Sequence, residues 1–419
     1  MLDIKFIREN PDLIREAARK KRIDLDVPKL LELDKERLTL MTEIEGMRAK
    51  QNQASEKIAT ISSQDRRPLL EEMKVIKGQM QGQEEALSAV MKSWRSIMLS
   101  VPNIPDVSVP DGTTDKDNLE LRKWGAVKSF SFKPMSHIDL MLKHDMVDLE
   151  RGAKVAGFRG YFLKNDAVRI SMAIWQFAID RLSIKGFTPM IAPSLVRREP
   201  FLGSGYLPQG EEDLYKTQDE SYLSGTAEVA TMGYYMDEVL KKEDLPVKFI
   251  SFNSCFRREA GSHGKDTKGL FRVHEFNKVE QIVICEASHE ESVKWHEELT
   301  KNAEELLRAL DLPYHIVLNC GGDLGLGQVK KYDIETWIPS EDRYGETHSA
   351  SYFHDFQTRR LNIRYRDDEG KLRFAHSLNN TALATPRILV SLLENYQNED
   401  GSIDVPECLR KYIGKDRIG

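Results

Sequence analysis

Apolar side chains recur every seven positions along most of the first hundred or so residues. Between residues 30 and 61 they form two interleaved ladders, Leu33, Leu40, Met47, Ala54 and Ile61 on one and Leu30, Ile44 and Ile58 on the other. After the polar stretch SSQDRRP the pattern resumes with Met73, Met80, Leu87 and Trp94, and with Leu69, Ile76, Val90 and Ile97. This repeat is typical of a coiled-coil seam. Because two long helices joined by a short turn bury both seams only by folding back, the sequence predicts an antiparallel helical hairpin.

The charges of this predicted hairpin differ between its two ends. At 1.5 Å per residue each helix reaches about 45 Å, too long to lie wholly on a compact domain, so we expect the hairpin to project. Its outer half is mildly basic, with Arg48, Lys50, Lys57, Arg66, Arg67, Lys74 and Lys77. Such a tip suits the phosphates of an RNA helix. Solvated coiled-coil flanks are the alternative interpretation.

Composition limits the class of protein. A chain of 419 residues with 40% hydrophobic and 31% charged residues is ordinary for a globular protein of two or three domains. We find no apolar run of about 20 residues and no signal-peptide core, so we expect a cytoplasmic protein with no membrane partner. The net charge of −6 argues against a uniformly basic nucleic-acid binder, and DNA is not an expected partner.

The four cysteines, Cys255, Cys285, Cys320 and Cys408, are far apart and lack CxxC spacing. This pattern indicates neither a disulfide framework nor a zinc site, so we expect reduced and mostly buried thiols and no zinc.

A proline-rich linker, residues 101–115, separates the helical segment from a region of mixed pattern. Beyond it the sequence predicts a helix over about 167–184, strands near 248–256, 279–285 and 361–365, and a helix over 384–395. Strands that are mostly sequence neighbours, with helices packed outside, predict an α+β domain built on an antiparallel β-sheet flanked by helices. We therefore predict an N-terminal helical domain over 1–105 and a second domain over 106–419.

The stretch FRREAGSHGKDTKGLFRVHEFNKVE, residues 256–280, sets arginines and glutamates around a glycine-punctuated loop between two strand-like segments. Alternation along strands would direct Arg257 and Glu259 to one side, and Phe276, Lys278 and Glu280 likewise. A guanidinium, a ring and carboxylates on one face suit the binding of a nucleotide. A charged surface hairpin is the alternative.

The run FRREAG…GLFRVHEF resembles motif 2 of the class II aminoacyl-tRNA synthetases. Together with TAEV at Thr226 to Val229 and LENYQ at Leu393 to Gln397, it makes nearly the whole chain similar to the seryl-tRNA synthetase family. The resemblance implies activation of L-serine with ATP and Mg²⁺, and transfer of serine to tRNA(Ser), with tRNA(Sec) as a further acceptor where it exists. It also implies that the hairpin holds the long variable arm of the tRNA.

Motif 1 of the same family is similar to KGFTPMIAPSLV, residues 185–196. Pro193 then matches a position at the family's dimer interface, which implies a homodimer. Without the other motifs, Pro193 would be interpreted as an ordinary strand end.

The resemblance also implies roles at the nucleotide. Arg257 matches the arginine that bridges the substrate carboxylate and the α-phosphate, for which its planar fork is suited. Arg387 matches the arginine at the γ-phosphate and one adenine face, and Phe276 the ring on the opposite face. Glu259 would bind the adenine amino group, and the backbone near Val273 the base edge. The remaining residues expected to bind ATP are Arg258, Glu346, Thr347, His348 and Ser349.

Glu346 and Ser349 match the family's magnesium ligands, hard oxygen donors for a hard cation. Gly345 and the run His348-Ser349-Ala350-Ser351 depart from the family pattern, which puts the surroundings of the metal in question. His348 is expected to be structural or peripheral, since activation of a carboxylate needs no general base.

The serine pocket implied by the resemblance consists of Thr226, Ala227, Glu228, Arg257, Glu280 and Thr381. A salt bridge between Glu280 and Lys278 is the structural alternative for Glu280. His263, Lys265 and Lys268, in the loop over 261–269, are candidates for meeting the tRNA acceptor end.

Two other functions stay open at this point. A homologue that charges a carrier protein would not need the hairpin, and a non-catalytic RNA-binding paralogue would not need Arg257, Glu280, Glu346 and Arg387.

Overall fold

The computed structural model describes residues 1–60, 62, 66–261 and 269–419. These residues divide into two compact units. The smaller unit comprises residues 3–19 and 23–102, and the larger comprises residues 1–2, 20–22 and 103–419. Residues 20–22 thus belong to the larger unit, although the residues before and after them belong to the smaller one.

The smaller unit is helical, with α1 (Ile4–Glu9), α2 (Pro11–Lys20), α3 (Val27–Thr60) and α4 (Arg66–Ser100). α3 and α4 pack against each other along their length, as the heptad ladders predict. A shared apolar cluster contains Leu33, Leu40, Leu87, Val90, Trp94 and Ile97. Across this pair Arg48 donates a hydrogen bond to Glu84 at 2.7 Å. The predicted hairpin is confirmed, although Ile61 and Asp65 lie outside the described residues.

The larger unit is built on an eight-stranded sheet in the order β1-β11-β12-β13-β16-β10-β9-β4. Its strands are β1 (Leu119–Trp124), β4 (Thr188–Ile191), β9 (Val247–Phe256), β10 (Glu275–Cys285), β11 (Tyr314–Leu318), β12 (Lys330–Ile338), β13 (Arg343–Tyr352) and β16 (His376–Thr385). Within this sheet the pairings of the described residues are antiparallel, apart from the parallel pair of β4 with β9. The α+β fold on an antiparallel sheet is therefore confirmed.

Short strands border this sheet: β2 (Val147–Asp148), β3 (Phe162–Leu163), β5 (Leu195–Val196), β6 (Tyr215–Lys216), β7 (Tyr222–Leu223), β8 (Val239–Leu240), β14 (Arg364–Arg366), β15 (Leu372–Phe374), β17 (Ile403–Asp404) and β18 (Arg417–Ile418). The helices are α5 (His137–Lys143), α6 (Leu149–Ala156), α7 (Asp166–Ile184), α8 (Arg198–Ser204), α9 (Ala227–Gly233), α10 (His289–Ala309), α11 (Phe356–Leu361), α12 (Arg387–Asn395) and α13 (Glu407–Ile413).

The main core lies between the sheet and helices α7, α10 and α12. Buried side chains such as Phe177, Leu307, Tyr314 and Leu389 contribute to one apolar cluster. Burial on this scale removes apolar surface from water and fixes the sheet as a rigid support. The other sheet face carries a cavity.

Two sequence predictions differ from the structure in their bounds. The predicted helix over 384–395 begins only at Arg387, because β16 continues through Thr385 and Pro386 occupies the N-cap position. The predicted strand near 361–365 is instead the end of α11 followed by β14, with Asn362 in a left-handed conformation between them. An asparagine tolerates that conformation and ends the helix there.

All four cysteines are free, and Cys408 alone among them is only partly buried. None of the helices within the described ranges combines the length and apolarity needed to cross a membrane.

Candidate active site

A cavity of about 430 Å³ opens beside β9, β10, β13 and β16. It is lined by most of the residues for which the sequence predicts a role, namely Thr226, Glu228, Arg257, Glu259, Val273, Phe276, Glu280, Glu346, Thr347, His348, Ser349, Thr381 and Arg387. These residues come from six segments of the sequence. Ala227 and Arg258 are not in the lining: Ala227 is fully buried at the start of α9.

Arg257 lies at the end of β9, where the chain leaves the sheet. Its Nε and Nη2 atoms both donate to the Gly225 carbonyl oxygen at 3.3 Å, and its guanidinium lies 5.2 Å from the centre of the Phe276 ring. A cation held over an aromatic face and by a carbonyl has little freedom to reorient. The remaining donors of the planar fork are available to the cavity.

Glu259 reaches the cavity in a way that strand alternation does not predict. β9 ends at Phe256, and Glu259 adopts a left-handed conformation with φ of 56°. Arg272 donates to its carboxylate at 2.7 Å. Burial acts to raise the pKa of Glu259, but the Arg272 hydrogen bond and the charges of Arg257 and Arg387 outweigh it, and the pKa is lowered. Glu259 is therefore ionised near neutral pH.

Arg387 is the first residue of α12, and its side chain is held by hydrogen bonds to two backbone carbonyls. Its Nε donates to the Phe271 carbonyl at 3.1 Å and its Nη1 to the Glu346 carbonyl at 3.0 Å. The guanidinium lies 4.6 Å from the centre of the Phe271 ring, and the Glu346 carboxylate is 3.7 Å away. The Arg387 guanidinium thus lies over the Phe271 ring, as the Arg257 guanidinium lies over the Phe276 ring.

A β-bulge explains why Glu346 and Ser349 share the cavity. The register of β12 with β13 shifts by one residue, so that Glu335 pairs with Glu346 while Ile334 pairs with His348. Without the bulge, two residues three positions apart would face opposite sides of the sheet. The inserted residue, Thr347, also lines the cavity.

His348 is held within the protein. Its Nε2 donates to the Ala382 carbonyl at 2.9 Å, and its Nδ1 lies 2.8 Å from Thr347 Oγ1. Burial lowers the pKa of His348 to about 4, so the imidazole is neutral near pH 7. A neutral ring fixed by both nitrogens agrees with the structural place expected of it.

Two buried carboxylates, those of Glu280 and Glu228, line the cavity, and they have different partners. Glu280, 1% exposed, forms an ion pair with Lys278 at 2.5 Å and accepts a hydrogen bond from Thr381 Oγ1 at 3.3 Å. Burial raises the pKa of Glu280, and Lys278 opposes that rise. Glu280 thus has a counter-charge within the protein, although its pKa stays raised.

Glu228, 3% exposed, is bound only by neutral groups. It accepts hydrogen bonds from Gln357 Nε2 at 2.6 Å, Asn379 Nδ2 at 2.7 Å and the Tyr206 hydroxyl at 3.2 Å. No lysine or arginine of the described ranges forms an ion pair with it. Burial raises the pKa of Glu228 to about 7. An uncompensated carboxylate of this kind favours a cationic ligand group.

Thr226 supports Glu228 through the backbone. Thr226 is the N-cap of α9, and its Oγ1 accepts a hydrogen bond from the Glu228 amide at 3.3 Å. This cap fixes the first turn, from which the Glu228 side chain extends.

Several lining or supporting residues were missed from the sequence. Asn379 lies two positions before Thr381 on β16, so strand alternation could have identified it. Phe271 and Arg272 lie inside the motif quoted above but carried no prediction. Tyr206 and Gln357 had no local signal. His263, Lys265 and Lys268 lie outside the described residues.

Comparison with known proteins identifies the family of this chain. Residues 1–105 match the family described as seryl-tRNA synthetase N-terminal domain, and residues 212–396 match the tRNA synthetase class II core domain (G, H, P, S and T). A serine–tRNA ligase of Deinococcus radiodurans is 48% identical over 99% of this chain and 98% of its own length.

Solved structures are similar over the full length as well. A seryl-tRNA synthetase from Pyrococcus horikoshii complexed with ATP has a TM-score of 0.92 and 40% identity, covering 100% of this chain and 99% of its own. The cytoplasmic serine–tRNA ligase of Naegleria fowleri in complex with AMP has a TM-score of 0.88 and 30% identity, covering 100% and 98%. With these relatives and the site described above, the chain belongs to the seryl-tRNA synthetase family of class II aminoacyl-tRNA synthetases.

Proposed function

We propose that the protein is an ATP-dependent, AMP-forming ligase that joins L-serine to tRNA(Ser). Serine and ATP first give seryl-adenylate and pyrophosphate, and the seryl group then passes to the 3′-terminal ribose of the tRNA. tRNA(Sec) is a further acceptor in a cell that contains it. The alternatives, a carrier-protein ligase or a non-catalytic RNA-binding protein, have no observation in their favour.

One observation carries this proposal, namely that Arg257 lines the same cavity as the buried carboxylates of Glu228 and Glu280 and the guanidinium of Arg387. The charge of Arg257 acts on Glu280, Glu259 and Arg387. An amino acid bound at Glu228 and Glu280 would present its carboxylate toward Arg257, and a triphosphate would extend toward Arg387. The two anions that must react are thereby brought together by positive charge.

In the first step, a carboxylate oxygen of serine forms a bond to the α-phosphorus, and the bond from that phosphorus to the bridging oxygen breaks. Pyrophosphate leaves with the electron pair of that bond. Arg257 neutralises the two reacting anions, and Arg387 the charge on the leaving group. Glu259, ionised, accepts from the adenine amino group, while Phe276 and Arg387 cover the base. In the second step, the oxygen of a ribose hydroxyl forms a bond to the seryl carbonyl carbon, and the bond from that carbon to the adenylate oxygen breaks. AMP leaves with the electron pair of that bond, and its phosphate takes up the proton of the hydroxyl.

Glu346 and Ser349 are the residues that would hold Mg²⁺, which when bound neutralises phosphate charge. Their hard oxygen atoms suit this cation. Asp333 pairs with Ser349 across the strands, and its Oδ1 has no hydrogen-bond partner among the described residues. Within those residues no three His, Cys, Asp or Glu side chains are placed to hold a metal by themselves, so ATP phosphates would complete the ligand set.

Selectivity for serine follows from the second carboxylate. A substrate hydroxyl would donate to Glu280, beside Thr381, and alanine would deprive that buried carboxylate of one hydrogen bond. Such a loss is worth about 10⁴-fold in discrimination, whereas exclusion of the methyl group of threonine is a weaker filter. ATP–pyrophosphate exchange with each amino acid tests this. We expect exchange with serine and about 10⁴-fold less with alanine; absence of exchange with any amino acid would refute the proposed function.

The raised pKa of Glu228 gives a pH prediction. Below about 7 this carboxyl is mostly neutral and binds an ammonium group weakly; above it, the carboxylate is charged. We expect KM for serine in the exchange assay to fall about tenfold from pH 6 to pH 8, with KM for ATP as the internal control. In Glu228→Gln the dependence should vanish. A serine KM that is flat over this range in the wild type would show that Glu228 does not bind the ammonium.

For the tRNA, we propose a boundary near residue 105, with the helical domain over 1–105 and the catalytic domain over 106–419. The exposed lysines of the hairpin, Lys50, Lys57, Lys74 and Lys77, would contact the phosphates of the variable arm. Arg48 is already engaged with Glu84. We further propose that the protein acts in the cytoplasm, where its free thiols stay reduced.

We propose that the protein is a homodimer that pairs through the edge strand β4. β4 ends the eight-stranded sheet, and apolar side chains are exposed on and near it, including Met172, Ile184, Ile191 and Leu195. An exposed apolar edge strand favours pairing with a second copy.

Ile191, 84% exposed, gives a test of this surface. Ile191→Lys is expected to convert a particle of twice 48.1 kDa into one of 48.1 kDa in light scattering, because a lysine would be buried in the interface. Val107→Lys, at a 99% exposed site away from β4, is the matched control and should leave the mass unchanged. A dimeric Ile191→Lys variant would place the interface elsewhere.

A further inference from the structure

A short loop over residues 325–328 forms one wall of the cavity, and two buried side chains bind all of its backbone carbonyls. Lys21 Nζ donates to the carbonyl oxygens of residues 325, 326 and 328, at 3.0, 2.9 and 2.5 Å. Asn103 Nδ2 donates to the carbonyl of residue 327 at 3.0 Å, and the Asn103 amide to that of residue 326 at 2.9 Å. The loop is thus fixed from the side of the protein interior.

Lys21 is 5% exposed, and its ammonium group binds the carbonyls of this loop. Its ammonium has three donors, and three carbonyls accept them. Burial holds the pKa of Lys21 below its usual range. Charge-assisted hydrogen bonds of this kind are roughly twice as strong as neutral ones, and their removal leaves buried carbonyls unsatisfied. The site therefore enforces one conformation of the loop.

Asn103 is equally buried, at 4% exposure, and its Nδ2 also donates to the Phe353 carbonyl at 2.7 Å. Lys21 and Asn103 belong to the larger unit and flank residues 23–102 of the smaller one. Two residues that are far apart in the sequence thus bind the same loop within the larger unit.

One side chain of the loop, Gln328, connects it to the part of the cavity that contains Glu228. Gln328 Nε2 donates to Ser351 Oγ at 2.8 Å, and Gln328 Oε1 accepts from the Gly325 amide at 2.6 Å. Ser351 on β13 pairs with Asn379 on β16, and Asn379 donates to Glu228 at 2.7 Å. A short series of contacts thus leads from Lys21 and Asn103 to the carboxylate proposed to bind the substrate ammonium.

We propose that Lys21 and Asn103 are positioning residues for serine, which act by holding the 325–328 loop and, through Gln328 and Ser351, the wall beside Glu228. This inference rests on the proposed function, because serine is its ligand. It differs from a purely structural role in one respect: loss of the Lys21 and Asn103 hydrogen bonds should weaken serine binding selectively, since the contacts of the loop through Gln328 and Ser351 lead to Asn379 and Glu228.

The test compares Lys21→Met with Lys20→Met in the full-length protein. Methionine keeps the length of the side chain and removes its donors. Lys20 Nζ, in contrast, makes a long contact to the Val109 carbonyl at 3.4 Å and a 3.7 Å ion pair with Asp111. In ATP–pyrophosphate exchange we expect Lys21→Met to raise KM for serine about tenfold and KM for ATP less than about twofold. Lys20→Met should change neither.

A third variant, Gln328→Ala, keeps the proposal falsifiable if Lys21→Met does not fold. Gln328 is only half-buried, and its removal should also raise KM for serine selectively, without lowering the melting temperature. The double variant should be no worse than Lys21→Met, since both act through one contact. A parallel rise of both KM values, or an unchanged serine KM in Gln328→Ala, would overturn the inference. Absence of exchange in the wild type would instead refute the proposed function, and the inference with it.

Discussion

Arg257→Gln is expected to lower kcat for serine-dependent ATP–pyrophosphate exchange by about 10²–10³-fold, the usual cost of removing one preorganised donor from a charged transition state. The guanidinium is held over Phe276 and by the Gly225 carbonyl, so little reorganisation is needed when charge develops. Glutamine keeps a donor but loses the charge and the fork. Arg257→Lys, which keeps the charge, is expected to lose at least about tenfold, because one ammonium does not reproduce the bidentate geometry.

Arg373→Gln is the matched control for Arg257. Arg373 is an exposed arginine that donates to Asp367 at 2.9 Å and does not line the cavity. The Arg373→Gln variant should retain the kcat of the wild type. A kcat for Arg257→Gln within about threefold of the wild type would exclude Arg257 from the reacting centre and would leave the arrangement around it without its main electrostatic element.

Deleting Leu33 to Ile97 is expected to separate the two half-reactions. The deleted segment lies within the smaller unit, and all residues of the cavity lining belong to the larger one. Exchange should therefore continue at close to the wild-type rate. Charging of tRNA should fall below about one-thousandth, since loss of several phosphate contacts costs about 10³-fold or more in affinity. The measurement is exchange and serine charging on the same protein preparation.

A milder variant controls for damage caused by the deletion. Replacing Lys50, Lys57, Lys74 and Lys77 with glutamine leaves the helices and their seam in place. It should weaken tRNA binding and flatten the dependence of binding on salt concentration, with exchange unaffected. Equal loss of exchange and charging in the deletion variant would contradict the assignment of the hairpin to the tRNA.

The hairpin could be predicted from the sequence because its packing depends on a local, periodic pattern. Leu69, Met73, Ile76, Met80 and Leu87 are each less exposed than the residues on either side of them. The same reasoning held for Phe276, Lys278 and Glu280, which alternate on β10 and all line the cavity. Regular elements preserve a fixed relation between sequence spacing and direction.

Where the backbone is irregular, that relation fails. Glu259 reaches the cavity through a left-handed residue beyond the strand, and Glu346 joins Ser349 through a bulge, which spacing alone does not reveal. Lys21 lies about 300 residues from the loop it binds, and only the folded chain brings them together. The different partners of Glu228 and Glu280 could not be predicted from the sequence either, because they are set by tertiary contacts.

Serine charging of a purified total tRNA pool, with mass-spectrometric identification of the esterified amino acid, tests the central claim most directly. We expect serine, and no other amino acid, on tRNA(Ser), dependent on ATP and lost in Arg257→Gln. A protein that leaves the pool uncharged while it exchanges pyrophosphate with serine, or that attaches a different amino acid, would contradict the account.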